Sequence, residues 1–416
     1  MRKRPWPTPE CSMDKRPPSD AGKRPSSGAV VELVSPGQRG LWFLSQLAHT
    51  TQRLHIRVEL RWPGAIERAR IAQALRAVQA RHPILRSTFH RLAWGDIEQR
   101  LDSAAPLLLE SAGDYAAWAG RQDFDLERQP GLKVWLDGAT LVLALHRIVA
   151  DATSAGILVD ELLGGIAGAP PPAIATHTFH RHAARQLAQL SAGALAADDA
   201  YWMAKLGPGA PALALALDRP RTALRTHADA QVVGELDAAL AAQLQAFCAR
   251  YAARPVQVLR AAFAVLLYRH SAQATLRMAT LDAGRPGALA GVIGPFENIL
   301  VSSLTLAGAM RFAALLKAVE EEDAAALAHA ALPFERLLER LNADGFQKHE
   351  LPFQAAFVWR RHGLAARAHG DVEVRIDEDH ALRVDLLLRA GERADGRHVL
   401  TLAYACALFD RATAVA

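Results

Sequence analysis

Cysteine is scarce in this chain: three in 416 residues, Cys11, Cys248 and Cys406, far apart and odd in number. Such a set makes no disulfide framework and has no metal-ligand spacing, so it points to a reducing, cytoplasmic setting. Long apolar runs are also missing; nothing reaches the roughly 18 residues of a membrane-spanning helix, so no membrane association is expected. The basic N-terminus lacks the apolar stretch of a secretory signal. An excess of one charge is missing from the body. The net charge is +5, but residues 1–29 hold seven basic and three acidic side chains, which leaves the rest close to neutral. No basic face with interleaved aromatics remains to suggest a nucleic-acid partner.

What is present is apolar content at a globular level, 51% of residues, enough for a sizeable core, in a chain long enough to expect two lobes. Residues 1–29 are basic and carry six prolines; a segment so poor in apolar side chains cannot offset its ordering entropy and reads as a disordered tail. Order begins near Val30. VELVSPGQRGLWFLSQL reads as a short strand, a turn at Pro36-Gly37 and an amphipathic helix. Alternation marks strands at 54–62 and 140–148, and helical spacing marks 66–81. A helix should follow the second strand at TSAGILVDELLGGIAG, with Thr153 or Ser154 as N-cap. GAPPPAIAT, residues 168–176, breaks the pattern and is the candidate linker between lobes at 30–167 and 177–416. Beyond it helices are expected near 178–206, 255–270 and 312–322, and strands at 275–282, 297–306, 351–359, 371–376, 382–389 and 397–406. Strands and helices mix without a regular βαβ beat, so the class is α/β in the mixed, α+β sense.

LALHRIVADATSAG, residues 143–156, concentrates the chemistry. His146 and Arg147 end a strand, where successive side chains point to opposite faces; one can face an internal channel while the other packs inside. Asp151 lies in the turn before the helix. A histidine here can act as a general base; an arginine cannot, because it stays protonated. Read by itself, the stretch favours a hydrogen-bonded core histidine and an aspartate paired with an arginine. His177, His180 and His182 cluster in THTFHRH, but no cysteine or carboxylate completes a set, so no metal site is expected. The glycine-rich stretch 284–294 lacks the G-K-[ST] ending of a phosphate loop.

Eight short motifs follow one another along the chain. They are SPGQRGLWFLSQL (35–47), RHPILRSTF (81–89), FDLERQPGLKVWL (124–136), HRIVADATS (146–154), YWMAKLGPGAPALALALDRPR (201–221), DAGRPGALAGVIGPFENIL (282–300), LPFERLLERL (332–341) and LPFQAAFVW (351–359). In that order they resemble the motifs of condensation domains of nonribosomal peptide synthetases, from about residue 31 to the end. The resemblance implies two chloramphenicol-acetyltransferase-like lobes in a V-shaped pseudo-dimer. A central tunnel would admit the phosphopantetheine arms of two acyl or peptidyl carrier proteins, with no cofactor bound directly. The family's active-site motif is H-H-x-x-x-D-G-x-S, whose second histidine acts as a base or positions the attacking amine. Here Arg147 takes that histidine's place and Ala152 that of the glycine. Arg285 matches the arginine that pairs with the motif aspartate, which implies an Asp151–Arg285 salt bridge between the lobes. The resemblance puts Ala152, Ser154, Glu297 and Asn298 at the tunnel and its floor loop, near 282–300. Ser154 is expected to cap its helix, and Tyr201 and Trp202 to pack. Because strand neighbours face oppositely, Glu297 is expected to face solvent beside Asn298; the alternatives are a surrogate base or a counter-charge for Arg147. At the C-terminus, LAYACALFDRATAVA resembles the family's final strand and turn, and a last helix is expected to be missing.

The resemblance extends to degenerate members, the X-domains of glycopeptide synthetases, which carry H-R-x-x-x-D and recruit cytochrome P450 enzymes to a carrier-bound peptide. The expectation is therefore a catalytically degenerate platform domain of nonribosomal peptide synthesis. The alternative is an active carrier-dependent acyltransferase forming an amide or ester bond, with Arg147 holding a substrate carboxylate. A decayed remnant is the third possibility.

Overall fold

The computed structural model describes residues 30–415 apart from 47–53, 94, 102–108, 111–123, 171, 173–176, 208–212, 222–228, 344–350, 362–370, 379–381, 383 and 393–395. The tail expected at 1–29, and most of the expected linker at 168–176, lie outside these residues. In chain order the first elements are β1 (Val30–Leu33), α1 (Pro36–Ser45), β2 (His55–Arg61), α2 (Arg68–Arg81), β3 (Ser87–Arg91), β4 (Ile97–Leu101), β5 (Leu109–Glu110), β6 (Leu132–Asp137), β7 (Thr140–His146) and α3 (Ala152–Ile166). Then come α4 (Phe179–Ser191), α5 (Ala196–Leu206), β8 (Asp229–Glu235), α6 (Ala238–Tyr251), α7 (Pro255–Ser271), β9 (Thr275–Asp282) and β10 (Asn298–Thr305). The chain continues through α8 (Phe312–Ala328), α9 (Phe334–Ala343), β11 (Ala355–Arg361), β12 (Glu373–Glu378), β13 (Leu386–Glu392), β14 (His398–Ala405) and α10 (Arg411–Val415).

The mixed α/β class holds, with three sheets among the described residues. A five-stranded sheet runs β12-β2-β7-β6-β5, a six-stranded one β10-β9-β11-β13-β14-β8, and a small one β1-β4-β3. Strand β7 lies inside the first sheet, and residues 141–146 are buried throughout, as the apolar run TLVLAL requires. Ile71, Leu75 and Val78 of α2 join Leu158, Val159 and Leu162 of α3 in one core with Ile56, Val58 and Leu60 of β2. In the second sheet, α7 and α8 share one core (Phe263, Leu267, Leu315, Val319) and α5 and α9 another (Trp202, Leu206, Leu337, Leu341).

Several elements depart from the sequence expectations. Pro36 does not make a turn but opens α1, with Ser35 as N-cap in a reciprocal capping box with Gln38; proline suits the first helical turn because its missing N–H would be orphaned there. The N-cap of α3 is Asp151, whose carboxylate accepts from Ser154 N, rather than Thr153 or Ser154. Finally, β12 returns from the second half of the chain to pair antiparallel with β2, Val374 opposite Leu60 and Ile376 opposite Val58. Sheet membership therefore crosses the division drawn at 168–176. The C-terminal LFDRATAV ends in the short helix α10.

Candidate active-site turn and its ionic surroundings

Strand β7 delivers the HRIVAD turn. The backbone N–H of His146 donates to Gly131 O at 2.8 Å and that of Arg147 to Leu54 O at 2.7 Å. Gly131 is required here: a Cβ on it would come within 2.9 Å of both Val149 methyls. His146 is 2% exposed, edge-on to His55 and Phe124 at 5.7 and 5.6 Å. Burial, reinforced by the neighbouring His55 and Arg147 charges, pushes it well below the ordinary histidine value of 6.5. Ile148 N donates to its Nδ1 at 3.1 Å, so the neutral ring carries its proton on Nε2.

Arg147 is 6% exposed, and its Nη1 faces Glu297 Oε2 at 3.4 Å. The other carboxylate oxygen of Glu297 accepts from Arg360 Nη2 at 2.7 Å. Two guanidiniums thus flank one largely shielded carboxylate, its side chain 10% exposed. This corrects the solvent-facing expectation for Glu297: it precedes β10 in the loop, so strand alternation with Asn298 does not govern it. Arg360 was missed. It lies one residue beyond the motif LPFQAAFVW, and only the register of β11 brings it to Glu297.

Asp151 is buried and saturated. Its Oδ1 accepts from Ser154 N at 2.8 Å and Arg285 Nη2 at 2.7 Å, and its Oδ2 from Arg285 Nη1 at 2.7 Å and Phe296 N at 2.9 Å. The Arg285 guanidinium lies over the Phe296 ring, 4.5 Å from its centroid. Ser154 does not cap α3 with its side chain. Its hydroxyl donates to Gly294 O and accepts from Gly294 N, both at 2.9 Å, and also accepts from Arg285 at 2.6 Å. Ala152 is buried at the start of α3. The 284–296 loop is therefore clamped to the turn, and Ile293 N donates to His82 Nδ1 at 3.4 Å farther along. Two glycines permit the close approach: Gly284 has φ +59°, and a Cβ on Gly294 would fall 2.3 Å from the Phe179 ring.

Asn298 does not present a free side chain. Its amide nitrogen donates to Ala330 O and Leu332 O at 2.9 Å, and its oxygen accepts from Phe334 N at 3.0 Å, pinning the start of α9. Gln38 of α1 donates to Ile148 O at 3.1 Å, and Gln99 donates to His180 Nε2 at 2.7 Å. Burial lowers His180 to about 4. The three histidines of THTFHRH do not converge, and no metal-holding group of three His, Cys, Asp or Glu side chains occurs among the described residues. Trp202 is buried and donates from Nε1 to His329 O at 2.9 Å, while Tyr201 stacks on His329.

The sequence pattern of the Condensation domain family matches residues 30–416. The chain belongs to the condensation-domain family. A linear gramicidin synthase of Brevibacillus parabrevis is 30% identical over 411 residues, 91% of this chain. The chain spans only 8% of that relative's length. The X-domain from teicoplanin biosynthesis is 26% identical, with a TM-score of 0.79 over 96% of this chain and 94% of that one. The X-domain in its complex with OxyB, also 26% identical, has a TM-score of 0.77 over 96% of this chain and 93% of that one. The chain is thus a condensation-family domain of the kind found in nonribosomal peptide synthesis. Among the described residues of this condensation domain, no helix is long and apolar enough to cross a membrane.

Proposed function

We propose that this condensation domain has given up amide synthesis and serves as a docking platform, holding a carrier-tethered peptidyl or acyl chain for a partner enzyme. One observation carries the reading: the position of the motif's second histidine is occupied by Arg147, buried and paired with Glu297. An arginine does not give up its proton at neutral pH. The neighbouring groups offer no replacement. His146 Nδ1 already accepts a hydrogen bond, Asp151 is saturated by Arg285, Ser154 and Phe296, and Glu297 lies between two guanidiniums. The Asp151–Arg285 clamp, by contrast, keeps the turn folded for a binding role. Two lobes dividing near 168–176, with β12 returning to the first, would flank a tunnel open to carrier phosphopantetheine arms. The partners are carrier proteins and a tailoring oxidase of the cytochrome P450 type, acting in the cytoplasm. The solved complex of an X-domain with OxyB supports a protein partner for a domain of this fold.

The test is a condensation assay with donor and acceptor carrier proteins and intact-mass detection of the loaded arms, using the wild type and Arg147→His. The platform reading expects no amide product from either protein, with carrier or oxidase binding kept by both. Product from the wild type would overturn it, since removal of a general base ordinarily costs about 10²–10⁴-fold in rate.

A further inference from the structure

A buried chain of side-chain amides joins the HRIVAD turn to the start of α4. Gln38 Nε2 donates to Ile148 O at 3.1 Å and to Gln99 Oε1 at 3.4 Å, and Gln99 Nε2 donates to His180 Nε2 at 2.7 Å. Gln38 and Gln99 are fully buried and His180 is 6% exposed, so these polar groups have to be met within the protein. The direction of the chain is not free. Ser35 N donates to Gln38 Oε1 at 3.0 Å, so the Gln38 amide nitrogen faces the turn and Gln99. Turned over, Gln38 would set its oxygen against Ile148 O and its nitrogen against Ser35 N. Gln99 must then offer its oxygen to Gln38, which leaves its nitrogen for His180. The Nε2 of His180 therefore accepts, and the ring proton sits on Nδ1. Two backbone groups, Ser35 N–H and Ile148 C=O, thus dictate the tautomer of a histidine beyond the candidate linker. Burial agrees: it lowers His180 to about 4, which keeps the ring neutral and able to accept.

We propose that His180 is a positioning residue for the HRIVAD turn, acting through Gln99 and Gln38: as the terminal acceptor it holds both amides in the orientation that delivers a donor to Ile148 O. Ile148 follows Arg147, whose own N–H is tied to Leu54 O. The relay and that bond hold the backbone on both sides of Arg147, and hence the approach of its side chain to Glu297. The residue before His180 works on the other side of the site. Phe179 fills the space left by Gly294 and meets Phe296 edge-on at 5.0 Å. The start of α4 therefore bears on both the turn and the 284–296 loop. This role holds whether or not the domain forms amides.

Ile148-Val149 is the only Ile-Val pair in the chain. The full chain labelled with carbonyl-13C isoleucine and 15N valine therefore gives a single NMR correlation, for the carbonyl on which the relay ends, with no carrier or partner needed. In His180→Leu, which removes the acceptor, that carbonyl resonance should move upfield, the shift expected when a carbonyl loses a donor. Gln99→Leu should move it in the same way, and the double variant should add nothing, because both act through one chain of bonds. In His180→Gln, which offers an oxygen in place of Nε2, the resonance should stay at the wild-type position, whereas lost packing at 180 would move it in both His180 variants. The 15N shifts of the His180 ring in the wild type supply a readout that needs no variant, and they should place the proton on Nδ1. A proton on Nε2, an Ile148 carbonyl unmoved in His180→Leu, or one moved equally in His180→Leu and His180→Gln would overturn the relay.

Discussion

Glu297 answers two cations at once, and that decides what its loss would do. Side-chain exposures of 7% for Arg147 and 10% for Glu297 place the pair away from bulk water. Removing one member of a buried pair strands the other at a cost of about 3–5 kcal/mol. Glu297→Ala should therefore lower stability by about 3 kcal/mol in urea unfolding, far more than an exposed pair such as Lys317–Glu321, worth less than about 1 kcal/mol. His180 gives a second residue-scale prediction. Its folded-state value near 4 lies below the ordinary 6.5, so the unfolded chain binds the proton more readily. Stability from this group is complete above about 6.5 and falls as pH drops toward 4, by about 3 kcal/mol in all. Unfolding measured against pH should show a shallower acid limb in His180→Gln; an unchanged limb would refute this. At this scale the sequence revealed that an arginine, which stays protonated, stands at position 147. It concealed Arg360, because a cation that reaches its partner through strand register leaves no local spacing to read.

Among the elements, the turn, the start of α3 and the 284–296 loop behave as one unit because Ser154, Asp151 and Arg285 share their hydrogen bonds. The expectation that Ser154 caps α3 rested on its position in sequence. Asp151 already occupies the cap, which frees the serine hydroxyl to grip both backbone groups of Gly294. Ser154→Ala should then cost about 2–3 kcal/mol, since it leaves buried partners unsatisfied. Thr153→Ala, one residue away and half-buried, should stay within about 0.5 kcal/mol. Equal effects of the two changes in denaturant melts would restore the capping role. Most strands and helices were legible from periodicity. Helices α6 and α9 and strands β3, β4, β5 and β8 were not, β8 because its alternation is weak on a mostly exposed edge.

Across the whole molecule, β12 ties the halves together. Val374 and Ile376 pack on the first-half core while their flanking segments belong to the second. A fragment of residues 30–170 leaves the edge of β2 unpaired, an aggregation-prone state. It should lack a cooperative transition, whereas the same fragment joined to 371–378 by a flexible linker should recover one; cooperative unfolding of the bare fragment would show β12 to be dispensable. The amino-acid sequence alone determined the mixed α/β class, the family through eight ordered motifs, and the arginine at position 147, because these depend on local pattern and residue identity. Only the tertiary structure decided that Arg147 is answered by Glu297 and Arg360, that Asn298 is spent on the start of α9, and that β12 crosses between the halves. Each is a contact between residues distant in the chain, and long-range packing leaves no periodicity in the sequence.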